Sequence, residues 1–273
     1  MSASSCLSSL PSALGASVWR ADELAGAAVA TVASGHAALD AELPGGGWPL
    51  GALIELLQPA RDAPVWSLLL PAVVARQQAS GGAVVLVNPP HEPFLPAFAA
   101  AGLPASSVLW VRGETPVAPL WASEQALRCA DVAAVLAWLP RARAGDLRRL
   151  HAAAALRADS LLFVLRPQAA GAAGSCARLR LRVGVPAAAP VHGAGHPDAA
   201  RQALAPALCV DILKRRGPPL DAPLQLPAQA PRLRALLAAS APAGAAGPGG
   251  GKVRSLDTKK EESHALDRLA VAA

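Results

Sequence analysis

Residues 58–66, Gln-Pro-Ala-Arg-Asp-Ala-Pro-Val-Trp, stand where a nucleotide-binding chain keeps its chemistry. They follow an apolar run, ALIELL (52–57), and lead into a helical stretch, VWSLLLPAVVARQQAS (65–80). A loop in that position holds phosphates when glycine amides wrap them at the helix N-terminus, a Lys adds charge and a Ser or Thr hydroxyl holds magnesium. This loop has no glycine, Pro59 and Pro64 remove two amides, Asp62 opposes a phosphate, and Arg61 is its one basic residue. The other Gly-Lys pair, Gly251-Lys252 in GPGGGKV (247–253), follows no strand and ends in Val253, so it reads as linker. Magnesium would also need an acid at the end of a neighbouring strand. The candidate strand, DVAAVLAWLP (131–140), runs out through Leu136, Ala137 and Trp138, with Asp131 at its wrong end. A degenerate phosphate loop, and no nucleotide cofactor, is the expectation.

Other chemistry is equally sparse. His192 and His196 stand four apart with Asp198 nearby, a metal-binding spacing on a helix, but the glycines and Pro197 between them make a loop. No Gly-x-Ser-x-Gly elbow occurs. Cys6, Cys129, Cys176 and Cys209 are too scattered for a Cys-x-x-Cys pair and suit reduced thiols in a cytoplasmic protein. Cys176, beside a polar loop, is a reactive thiol only if its surroundings are electropositive. No catalytic residue, metal or cofactor is therefore expected, and the chain is read as a non-enzyme.

The elements that frame this empty loop are clearer than the loop. GAVVLVNPP (82–90), SSVLWVRG (106–113), DVAAVLAWLP (131–140) and DSLLFVLRP (159–167) are short apolar runs bounded by turn residues. Helical patterns separate them in PFLPAFAAAGL (93–103), PLWASEQALRCA (119–130) and AGDLRRLHAAAALRA (144–158). Strand and helix in alternation predict an α/β fold with a doubly wound, mostly parallel sheet. ARLRLRVGV (177–185) and LCVDILKRRG (208–217) alternate with period two and are predicted to add antiparallel strands at one edge. SGHAALDAEL (34–43) is a short helical turn capped by Ser34, PGGGWPLG (44–51) a tight glycine turn, and ALIELL a strand with one buried acid, Glu55. QAAGAAGSC (168–176) reads as a flexible loop.

Composition sets the outer limits. The chain has 273 residues, 53% apolar and 16% charged, long enough to bury a core without disulfide or metal. The division predicted is a helical arm over 1–30, a core domain over 31–235 and a flexible tail over 236–273, where periodicity stops. A net charge of +6, carried mostly by arginine, permits an acidic partner without demanding one. The uncharged run 93–111 contains three prolines and a glycine, which argues against a bilayer helix, and no signal peptide is expected.

Longer motifs carry a family likeness. SGHAALDAELPGGGWPLGALIELL (34–57) resembles the entry segment of RecA-type recombinases, and LVNPPHEPFLPAFAAAGLPASSVLWVRGETP (86–116) is similar to the segment after their second strand. Pro90 occupies the place of the glutamate that activates water in those enzymes. VWRADEL (18–24), LDAELPGGGWPLGALIELL (39–57) and DILKRRGPP (211–219) look more closely like the ImuA family of RecA-like, SulA-related translesion accessory proteins, over about residues 15–220. The resemblance implies a RecA-like core that lost its phosphate loop and acts without catalysis in damage-induced translesion synthesis. The implied partners are an ImuB-like protein, an error-prone DNA polymerase and RecA, with no membrane.

By the same resemblance, the segment Leu43, Pro44, Gly45, Gly46, Gly47, Trp48, Pro49 and Gly51 is a candidate partner-binding turn. The loop after DSLLFVLRP would lie against single-stranded DNA. Arg166, Arg178, Arg180 and Arg182 flank it, and Lys214, Arg215 and Arg216 add a compact group. Contact from such residues would be weak, phosphate-directed and salt-sensitive, because no aromatic stands among them to stack bases. Alternation alone also explains Arg178, Arg180 and Arg182 as the wet face of a strand. A SulA-like inhibitor of cell division that binds a tubulin-like protein, and a cryptic ATPase, are the alternatives.

Overall fold

A computed structural model describes residues 30–59, 65–185 and 207–227. Apart from Ala30, the expected arm lies outside these residues, as do the tail, His192, His196, Asp198 and the loop centre with Arg61 and Asp62.

Eight strands form one sheet: β3 (Leu53–Gln58), β4 (Ala83–Val87), β5 (Val108–Val111), β6 (Val132–Trp138), β7 (Leu161–Pro167), β8 (Leu179–Gly184), β9 (Ala207–Lys214) and β10 (Leu224–Pro227). Their spatial order is β10-β9-β8-β3-β7-β6-β4-β5. β3 through β8 are mutually parallel, while β9 runs antiparallel to β8 and β10 antiparallel to β9. The mostly parallel α/β sheet read from the sequence is therefore present, with two refinements. β8 joins the parallel set beside β3, so the reversal begins at β9, and β10 is an edge strand that the sequence did not signal.

Alternate side chains of the central strands enter two cores. Ile54, Leu56, Leu86, Leu136, Phe163 and Leu165 pack with Leu68, Leu69, Ala72 and Val73 of helix α2 (Val65–Ser80) and with Phe98 of α3 (Leu95–Ala100). Leu53, Val85, Val135, Leu162 and Val164 pack with Leu127 of α4 (Ala118–Arg128) and with Leu147 and Leu150 of α5 (Ala144–Ala155). Helices on both faces explain the continuous apolar runs, because a strand covered twice has no wet side.

The awkward proline in α2 has a local remedy. Pro71 has no N–H, which strips the Ser67 carbonyl of its usual helical donor. His36 Nε2 donates to that oxygen at 3.1 Å, and the Pro71 ring lies where any side chain at Gly35 would fall. His36 is also the residue that precedes α1 (Ala37–Asp40). Ser34 is not the cap: it is buried, and its Oγ accepts from the His36 amide instead.

The glycine turn is a joint between two short strands, β1 (Thr31–Val32) and β2 (Trp48–Pro49), which pair antiparallel. Gly45 and Gly46 adopt positive φ, and a Cβ on Gly47 would meet the Val32 carbonyl oxygen at 2.3 Å. The turn delivers Trp48, fully buried, edge-on to Phe163 with ring centroids 5.4 Å apart.

Candidate functional site

A crevice of about 750 Å³ opens at the carboxyl ends of β3, β4, β5, β6 and β7. Parallel sheets place ligands there, where consecutive connections leave on opposite faces. In this sheet α2 leaves β3 on one face and α4 leaves β5 on the other.

Its walls are stiff. Pro59, Pro89, Pro90, Pro140 and Pro167 all line it. Asn88, at φ 49°, bridges β4 to β5: its Oδ1 accepts from Gly113 N at 2.6 Å and its Nδ2 donates to Gly113 O at 3.2 Å. Trp138, at the end of β6, packs on Trp66, which packs on Phe98 at 4.7 Å. Arg112 lies over the Trp110 ring, 5.3 Å from its centroid. Pro90 and Trp138 both line the crevice.

Beneath the crevice lies a charged centre. Glu55 is fully buried on β3, directly opposite Arg180 of β8 and two register positions from Arg166 of β7. Arg166 Nη1 donates to Glu55 Oε1 at 2.7 Å, and Arg180 Nε stands 2.9 Å from Glu55 Oε2 without hydrogen-bond alignment. The second arms tie down loops. Arg166 Nη2 donates to Ala142 O, and Arg180 donates to the carbonyls of Ala170, Gly171 and Ala173 within 3.0 Å.

This geometry revises the basic cluster. Arg166 and Arg180 are each only 8% exposed and committed to Glu55, so a phosphate-facing role does not suit them. The expected flexible loop, 168–176, contains a 3-10 turn (Gln168–Ala172) clasped by Arg180. Arg182 pairs with Asp211 at 3.0 Å, and Arg215 pairs with Glu42 at 2.7 Å. Arg178, Lys214 and Arg216 are exposed. The seven residues thus divide between interior and surface, and the wet-strand reading fails at Arg180.

The glycine segment divides too. Leu43, Gly47, Trp48 and Pro49 are buried and Gly51 is half-buried, its Cβ position blocked by Ala158 at 2.8 Å. Pro44, Gly45 and Gly46 are the part open to a partner.

Two features escaped sequence reasoning. Burial pushes the Cys176 thiol above its ordinary range, the opposite of an activated nucleophile. And β5, the outer strand, exposes Leu109 (52%) and Trp110 (40%) on opposite faces. A two-faced apolar run looks the same in sequence whether the strand lies central or at an edge.

Among the described residues no helix is long and apolar enough to cross a membrane. No family model matches the chain. The cell division inhibitor SulA of Edwardsiella piscicida is 28% identical over 120 residues, 44% of this chain and 71% of that protein.

Proposed function

We propose that this chain is a non-catalytic docking protein of the DNA-damage response, an accessory to translesion synthesis that joins an ImuB-like protein, an error-prone polymerase and RecA. The observation that carries the reading is the β5 edge. Among the described residues its outer backbone has no strand beside it, and Leu109 and Trp110 are exposed. Proteins usually protect such an edge with charge, proline or a covering loop. An uncovered one suits a partner that adds a strand and seats apolar side chains on both faces. The loop composition at 58–66 supports the absence of catalysis, since the glycines, Lys and Ser or Thr that hold phosphate and magnesium are missing from that loop. Likeness to SulA supports the damage-response context.

The test is co-purification of the tagged chain with the ImuB-like protein, polymerase and RecA of the same genome. Capture of at least one, lost in Leu109→Lys/Trp110→Lys, supports the proposal. Capture of none defeats it.

A second reading, inhibition of cell division through a tubulin-like protein, is favoured by the likeness to the cell division inhibitor SulA. Filamentous growth on overexpression, with no retention of the translesion partners, would select it. A thermal shift with magnesium-ATP would instead revive the cryptic ATPase.

A further inference from the structure

The crevice at the carboxyl ends of the strands carries hydrogen-bond donors that the protein leaves unused. Gln58 Nε2, Trp138 Nε1 and Arg166 Nε are buried N–H groups that find no acceptor in the protein, and all three residues line the crevice. Gln58 ends β3 and Trp138 ends β6, while Arg166 stands one residue before the end of β7, the strand between them. Each of the three residues is more than nine-tenths buried or close to it, at 5%, 9% and 8% exposure. Native proteins pair nearly all such groups. An unpaired indole alone is not a site: Trp48 Nε1 is unpaired too, but it lies in the core against Phe163. Here three donors from consecutive strands converge on a space large enough for a small molecule.

The charge beneath that space is unbalanced. Glu55 is the one acid paired with Arg166 and Arg180 among the described residues, so the buried centre sets one carboxylate against two guanidiniums. One positive charge is left over where charges are rarely tolerated unpaired. On the rim, Arg112 and Glu114 are both exposed and offset each other. The rest of the lining is mostly apolar: five prolines, Leu165 and the Trp138 ring.

We propose that the crevice binds a monocarboxylate with an apolar body. Its two oxygens accept from Gln58, Trp138 and Arg166, and its single negative charge matches the single excess charge of the centre. Its body lies against the prolines and the Trp138 ring. A phosphate group suits the crevice less well, because Pro59 brings no amide and the loop after β3 has no glycine to wrap it. The Asn88 bridge to Gly113 holds one wall in place before the ligand arrives, which lowers the entropy lost on binding. Either a free acid or the carboxyl terminus of a peptide has this chemistry. The proposal stands whether or not the docking reading does.

Titration of the isotope-labelled full chain, followed through its tryptophan indole N–H resonances, tests it, with the Trp138 resonance assigned by Trp138→Phe. The probes are naphthoate, naphthamide, inorganic phosphate, and the peptide acetyl-Ala-Ala-Pro-Phe with a free or an amidated terminus. Naphthoate or the free-acid peptide should move the Trp138 resonance and leave that of the exposed Trp121 in place. The tighter of the two acids identifies the source, and either supports the proposal. The matching amide should bind at least tenfold more weakly. Gln58→Leu should weaken the acid about tenfold, and Gln58→Glu, which sets a carboxylate where the donor stood, should abolish binding. Arg112→Gln, on the rim, should cost threefold at most, on the order of an exposed ion pair. Failure of both acids to move the Trp138 resonance overturns the proposal. So does equal binding of acid and amide, which would mean a site for neutral carbonyls, or tighter binding of phosphate than of either acid. The comparison of acid with amide is made on the unaltered chain, so it decides even if a Gln58 variant fails to fold.

Discussion

The centre of the sheet and its outer edge reverse the usual distribution of side chains in opposite ways. At β3, β7 and β8 the protein buries a carboxylate and two guanidiniums. At β5 it leaves a tryptophan and a leucine in water. Charges are rarely buried unless paired, and isolated exposed apolar residues are common, but two adjacent ones on opposite faces of an edge strand that no described strand covers are less so. The difference separates two tasks. The centre spends charge on geometry: one acid positions two arginines, which pin the loops around Ala142 and Ala170–Ala173. At the edge Val108 and Val111 pack on the two cores, which leaves Leu109 and Trp110 as the residues the proposed docking would use.

The largest effect should come from breaking the centre. Glu55→Ala leaves two buried guanidiniums without a counter-charge and should cost about 3–5 kcal/mol, read from a denaturant midpoint. Replacing Glu55, Arg166 and Arg180 together by apolar residues of similar volume should cost far less, because the penalty belongs to the unpaired charge. Arg180→Met should cost less than Glu55→Ala, about 2 kcal/mol, since Glu55 keeps Arg166. Its sharper signature is faster amide exchange over residues 168–173, which no edge variant should reproduce.

A gentler effect concerns the face of the centre covered by α5. His151 Nδ1 accepts the Leu53 amide, and burial, then the Arg178 and Lys214 charges, hold its pKa below the ordinary value of 6.5. The folded protein therefore binds fewer protons than the unfolded chain between that lowered pKa and 6.5. Stability should be full above pH 6.5 and fall as pH drops toward the lowered pKa; His151→Gln should flatten the fall. The smallest stability effect belongs to the edge. Leu109→Lys/Trp110→Lys should move the unfolding midpoint little, on the order of 0.5 kcal/mol per site, while abolishing partner capture. A large loss of stability there would mean that the edge is core, and the contrast between the two regions would dissolve.

Particular residues show what could be read in advance. Glu55 in the run ALIELL already announced a buried acid, but its partners were 111 and 125 residues away, and Arg166 and Arg180 looked like surface cations. Period-two alternation assumes one wet face, and β8 has none at Arg180, because β3 supplies the acid beside it. The helical stretch 65–80 carries Pro71, and nothing near it showed that His36, 31 residues before Ser67, would supply the donor the Ser67 carbonyl lacks. β10, four residues ending in Pro227, is too short to signal itself and forms by pairing with β9.

The amino-acid order alone determined the strand–helix alternation, the glycine turn and the poverty of residues 58–66 in phosphate-holding groups, because these depend on backbone preferences and side-chain chemistry within a few positions. Which strand became the edge, which arginines went inside and which cations gathered beside α5 were settled only by the order of strands in the sheet. Those outcomes depend on contacts between segments far apart in the chain, and no local pattern encodes the neighbour a strand will receive.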